Sequence, residues 1–141
     1  MSRKLVAYFS ASGVTRRAAE KIAKKEGADL YEITPAVPYS ADDLNYMDRK
    51  SRSSVEMKDK SSRPELGGEP IDISAYDDIY IGFPIWWGVA PHVVNTFLET
   101  YDFGGKTIHP FATSGGSGYG KSNDSLQESA PGAKFEAGMM V

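Results

Sequence analysis

The sequence predicts a three-layer α/β domain, a parallel sheet of five strands with helices on both faces. Short continuous apolar runs, rich in β-branched and aromatic residues, recur along the chain in the pattern of strands buried on both faces. Stretches with apolar residues at helical spacing stand between them. Strands alternating with helices imply right-handed βαβ units, and hence a parallel sheet covered on both sides. A chain of 141 residues suits one such domain, residues 1–141, with a single core.

The first strand is read at Lys4-Leu5-Val6-Ala7-Tyr8-Phe9 and breaks at Ser10-Ala11-Ser12-Gly13. A helix is expected from about Thr15 to Lys25, with Ala18, Ala19, Ile22 and Ala23 on its apolar face and Gly27 as its stop. Leu30 to Ile33 reads as the second strand, ended by Thr34-Pro35. Residues 35–74 are the least regular part: Ser40 is a candidate cap for a helix through Asp43, Leu44, Met47 and beyond, and the charges and serines between Asp48 and Arg63 suggest a solvated excursion. Asp78 to Phe83 is the third strand. Pro91 then opens a helix whose apolar face carries Val93, Val94, Phe97 and Leu98. Thr107 to Ala112 is the fourth strand, Ser122 to Ser129 a short helix, and Lys134 to Val141 the fifth strand. No repeat, low-complexity tract or interdomain linker is visible.

Composition narrows the chemistry. No apolar run approaches the roughly 20 residues that span a bilayer. The segment after Met1-Ser2-Arg3-Lys4 is too short for a signal-peptide core, so a cytoplasmic location is expected and no membrane association. The absence of cysteine excludes disulfides, thiolate metal sites, iron–sulfur ligation and a cysteine nucleophile. Two histidines argue against a histidine-rich zinc site, and no metal is expected. The net charge of −3 speaks against a nucleic-acid partner and suits docking to positively charged proteins. Any redox chemistry must therefore come from a bound organic cofactor.

Three loops lie at the carboxyl ends of strands, where open parallel sheets bind their ligands. Ser10-Ala11-Ser12-Gly13-Val14-Thr15 offers three hydroxyls and a run of backbone N–H groups at a helix N-terminus, a cradle for a dianionic phosphate. An ordinary Ser/Thr cap on a tight turn accounts for the same residues equally well. In Pro84-Ile85-Trp86-Trp87-Gly88, adjacent tryptophans present large apolar surfaces that a flat aromatic ligand would bury, and core or interface packing is the competing account. Gly88 permits backbone conformations closed to other residues, and its peptide with Trp87 is a candidate hinge. Thr113-Ser114-Gly115-Gly116-Ser117-Gly118-Tyr119-Gly120 lets backbone approach a ligand closely and read a heterocycle's edge.

Gly115 to Ser122 also satisfies the phosphate-loop pattern G-x-x-x-x-G-K-[ST] of nucleotide hydrolases. Only one strand follows it, no downstream strand ends in a magnesium-binding aspartate, and the reading leaves the other two loops unexplained. His92 and His109 read as solvated or packed side chains, and Arg16 and Arg17 as an exposed helix face.

Taken in order, the three loops resemble the flavodoxin family, especially its short flavodoxin-like branch, over almost the whole chain. The resemblance implies a flavodoxin-like fold with strand order 2-1-3-4-5 and one FMN at the switch point. It implies that Ser10, Ser12, Gly13, Val14 and Thr15 bind the phosphate. Pro84, Ile85, Trp86, Trp87 and Gly88 would line one side of the flavin. Thr113, Ser114, Gly115, Gly116 and Tyr119 would line the other side and the pyrimidine edge. Val14 stands where the family often has a polar residue, so its contact is expected from backbone alone. The implied function is electron transfer, the flavin cycling between oxidised, semiquinone and hydroquinone states, with redox proteins such as a reductase and an oxidase as partners and no catalytic acid or base. An NAD(P)H-dependent quinone or flavin reductase shares the fold and the G-G-S-G type of loop. A binding module that acts only through protein contacts is a third reading. The family normally ends in a further helix, which is absent from this chain; an uncovered face beside Phe135 and Met139 is expected, with a homodimer or marginal stability as its consequence.

Overall fold

The computed structural model describes residues 3–10, 13–37, 40, 50–59, 62–68, 70–85, 90–113, 122–136 and 139–140. The elements run β1 (Arg3–Tyr8), α1 (Val14–Glu26), β2 (Asp29–Glu32), α2 (Arg52–Lys58), β3 (Tyr76–Pro84), α3 (His92–Thr100), β4 (Thr107–Thr113), α4 (Ser122–Ser129), β5 (Lys134–Phe135) and β6 (Met139–Met140). All strand pairs in the sheet are parallel, in the order β2-β1-β3-β4-β5, which is the expected 2-1-3-4-5. The expected fifth strand arrives as two short pieces. Both β5 and β6 pair with β4, through Thr107↔Lys134 and Ile108↔Phe135 and then Phe111↔Met139 and Ala112↔Met140, with one extra residue accommodated on the edge between them.

The two faces of the sheet follow from the period-two alternation of its strands. Leu5, Ala7 and Phe9, with Ile79, Ile81 and Phe83 and with Ile108 and Ala112, face α3 and α4 and form the larger core. The helical face predicted for α3 is the one buried: Val93, Val94, Phe97 and Leu98 have at most 1% exposure. The opposite face places Val6, Tyr8 and Phe111 against Ala19 and Ala23 of α1. Gly27 ends α1 in the left-handed conformation at φ 65°, so that the Ala28 N–H returns to the Ala23 carbonyl at 2.9 Å.

Within the stretch from Asp48 to Arg63, Arg52–Lys58 forms the short helix α2, and Val55 on it is exposed. The Arg52–Glu56 pair at i,i+4 (2.9 Å) supports that helix from its own surface, and Arg52 Nη1 donates to the Val37 carbonyl at 2.6 Å. Phe135, expected at an uncovered face, is half-buried against the larger core; the Met139 side chain lies outside the described residues. The proposed helix over Asp43, Leu44 and Met47 also lies outside them. Among the described residues no helix is long and apolar enough to cross a membrane.

Candidate functional site

The carboxyl ends of β1, β3 and β4 lie side by side, through Tyr8↔Gly82 and Pro84↔Thr113. Parallel pairing therefore brings together the strand ends from which three loops depart, far apart in sequence. The Ile85 N–H donates to the Thr113 carbonyl at 3.0 Å, tying the second loop to the third. The hydroxyls of Thr15 and Thr113 meet at 2.7 Å, tying the third to the first. Both side chains are buried.

The turn into α1 is built for backbone donors. The N-cap is Gly13, left-handed at φ 90°, and among the described residues no side chain caps the helix. The helical ladder starts with Arg17 N–H to the Gly13 carbonyl at 3.2 Å, so the N–H groups of Val14, Thr15 and Arg16 have no intrahelical partner. Ser10 Oγ accepts from the Gly13 N–H at 3.0 Å and holds the turn closed from behind. The first turn contains no acidic residue to repel an anion. Arg16 and Arg17 are exposed on the helix, and Arg16 lies 3.8 Å from Glu20.

A β-carbon at Gly13 meets nothing within 4 Å, so alanine there pays only for its positive φ. Gly13→Ala is expected to lower stability by about 1–2 kcal/mol in chemical denaturation. A variant as stable as the parent would show that the turn relaxes to another conformation.

Of the residues assigned to the site, Ser10, Gly13, Thr15, Pro84, Ile85 and Thr113 are brought together at these strand ends. Val14 stands with them as the first residue of α1. Ser12, Trp86, Trp87, Gly88, Ser114, Gly115, Gly116 and Tyr119 lie outside the described residues, as does the Gly115–Lys121 part of the phosphate-loop pattern.

His92 was read as solvated or packed, and its bonding partner was not foreseen. It opens α3 directly after the second loop and is buried. Its Nδ1 lies 2.6 Å from Ser62 Oγ, which itself donates to the Glu56 carbonyl at 2.7 Å. Ser62 has one proton and uses it on Glu56, so Nδ1–H donates to Ser62. The bond fastens the excursion that carries α2 to the edge of the site. No local signal announces a pair 30 residues apart. His109 stands away from the loops, 3.0 Å from Asp78 and stacked on Tyr80 at 4.6 Å.

Burial first, and then the Arg63 cation, holds His92 below the ordinary histidine value of 6.5. Above that value the residue is neutral both folded and unfolded. As pH falls below about 6.5 the unfolded chain takes up the proton first, so stability declines toward the depressed folded value. Urea unfolding between pH 7 and pH 5 is expected to show this loss, with a slope of at most about 1.4 kcal/mol per pH unit. In His92→Gln the slope should flatten; an unchanged slope would place the titration elsewhere. Glu26, lowered by Lys4, and Asp29, lowered by Tyr76 and then Arg3, lose their contributions only at more acid pH, as it falls through and below their ordinary values of 4.5 and 3.8.

Comparison with known proteins places this geometry. The chain is 48% identical to an inferred flavoprotein from Bacteroides eggerthii DSM 20697, with a TM-score of 0.95, over 100% of this chain and 89% of the other. A similar inferred flavoprotein from Bacteroides uniformis ATCC 8492 is 50% identical, with a TM-score of 0.94, over 99% and 89% of the two chains. A flavoprotein from Lactobacillus acidophilus NCFM, crystallised in complex with FMN, is 26% identical, with a TM-score of 0.76, over 99% and 93%. Among curated proteins none matches. A family model described as flavodoxin matches residues 3–141, and the chain belongs to the flavodoxin family.

Proposed function

We propose that this chain binds one FMN non-covalently at the ends of β1, β3 and β4 and uses it to carry electrons between protein partners. The observation that carries the reading is the junction of the three loops through Thr113, whose carbonyl holds Ile85 and whose hydroxyl holds Thr15. The start of α1 fits a phosphate: a left-handed glycine, N–H groups with no intrahelical partner, a buried threonine hydroxyl and no carboxylate in the first turn. The relative from Lactobacillus acidophilus, with FMN in its crystal structure, supports the choice of ligand.

In this reading Ser10 closes the turn, Gly13, Val14 and Thr15 present their N–H groups to the phosphate, and Ser12 adds a hydroxyl. Pro84, Ile85, Trp86, Trp87 and Gly88 cover one side of the ring. Ser114, Gly115, Gly116 and Tyr119 take the other side and its polar edge. Bound there, FMN supplies the redox chemistry, accepting one or two electrons. The net charge of −3 disfavours further negative charge on the ring and so lowers the potential of the last electron step.

The visible spectrum of the purified protein, before and after adding FMN, tests the binding. Bands of oxidised flavin are expected, and a protein that stays colourless with excess FMN would sink the proposal. NADH oxidation in the presence of a quinone then separates a carrier from a reductase: a carrier should show no sustained turnover.

A further inference from the structure

Thr15 and Thr113 stand 98 residues apart in sequence, yet their hydroxyls lie 2.7 Å from one another, at 2% and 5% exposure. Each hydroxyl owns one proton and two lone pairs, so the pair holds two protons and shares one between its oxygens. Among the described residues neither hydroxyl has another hydrogen-bond partner. The second proton is therefore available to an acceptor beyond them. Its position selects the kind of acceptor. Thr15 sits in the first turn of α1, beside N–H groups that have no intrahelical partner and at the positive end of the helix dipole, where an anionic oxygen is favoured.

When Thr113 donates to Thr15, Thr15 keeps its own proton for the anion, and accepting one hydrogen bond makes it a stronger donor in the next. Thr113 has little left for a ring. Its hydroxyl is engaged with Thr15 and its carbonyl with Ile85, and its side chain is buried.

We infer that Thr113 is a positioning residue for phosphate recognition: its hydroxyl donates to Thr15 and sets the Thr15 rotor toward the FMN phosphate. The inference rests on the FMN-binding reading above. It also moves Thr113 out of the flavin-lining group to which the family resemblance assigns it. The consequence is that a residue at the head of the ring-side loop governs the discrimination between FMN and riboflavin.

Affinities of FMN and riboflavin, read from quenching of flavin fluorescence, test this in the parent chain, Thr113→Val, Thr113→Ser, Thr15→Val and the Thr15→Val/Thr113→Val double variant. Thr113→Val is expected to weaken FMN about tenfold, the scale of one hydrogen bond serving a charged group, and to leave riboflavin within about twofold. Thr113→Ser should restore FMN affinity to within about threefold of the parent. The double variant should bind FMN no more weakly than Thr15→Val alone, because both changes remove the same bond. Retained riboflavin binding reports that each variant is folded; should Thr113→Val fail to fold, Thr113→Ala, which also lacks the hydroxyl, takes its place. Equal losses of FMN and riboflavin would make Thr113 a ring contact and overturn the inference. So would a double variant whose loss is the product of the two single losses. A parent chain that binds neither flavin would instead overturn the FMN reading, and this inference with it.

Discussion

Alanine at both Ser12 and Thr15 is expected to weaken FMN binding by about 2–4 kcal/mol, roughly thirtyfold to a thousandfold, while riboflavin binding stays near its parent value. Riboflavin lacks only the phosphate, so the comparison isolates the turn before α1 from everything that touches the ring. The size of the effect comes from two hydroxyls, each a hydrogen bond to a dianion. Thr15 is held in place for that role, buried and bonded to Thr113. The Ser10–Gly13 hydrogen bond closes the turn that leads into α1. Isothermal titration with both flavins makes the measurement. If the parent chain binds riboflavin as tightly as FMN, the turn does not recognise a phosphate. If the double variant loses both ligands equally, its fold has been damaged instead.

The central strands were legible because continuous burial leaves a continuous signature. Leu5 to Phe9 and Ile79 to Phe83 have no polar face to obscure them. Helix α3 was legible for the same reason at helical spacing, Val93 and Val94 returning at Phe97 and Leu98. Helix α2 was not. Its sequence, Arg52 to Lys58, carries serines and charges that also describe a loop, and its support comes from the Arg52–Glu56 pair and the Arg52 bond to Val37. The edge of the sheet reads as one strand in sequence and forms as two short pieces, because the register on β4 slips between Ile108 and Phe111. At the site, loop composition pointed to a ligand, but the bonds joining the loops carry no local mark. Thr15 finds Thr113, and His92 finds Ser62, only through the order of the strands and the return of the excursion. Gly82 illustrates the same limit: within its strand it looks like an unremarkable small residue.

Gly82→Ala is expected to cost the fold about 3 kcal/mol or more, the upper end of the penalty for overpacking a filled core. A β-carbon there would collide with Cζ and Cε2 of Phe111 and lie 2.9 Å from its Cε1. The requirement is for space, since Gly82 is not among the positive-φ glycines. Gly82 and Phe111 are partners in the β3–β4 ladder, so the ring of one lies across the missing side chain of the other. The ring has no easy retreat, because Phe111 is fully buried in the cluster that Val6 and Tyr8 form with Ala19 and Ala23 of α1. Displacing it would also reach the site from two sides. The Gly82 carbonyl accepts the Phe9 N–H at 2.9 Å, one residue before Ser10, and Phe111 lies two residues before Thr113. The variant is therefore expected to melt roughly 10 °C below the parent and to bind FMN more weakly. Phe111→Leu alone should be mildly destabilising, yet in the Gly82→Ala background it should recover part of the loss, giving a strongly non-additive pair. A Gly82→Ala variant that melts with the parent would mean that the β3–β4 ladder and the ring above it yield far more easily than their packing implies.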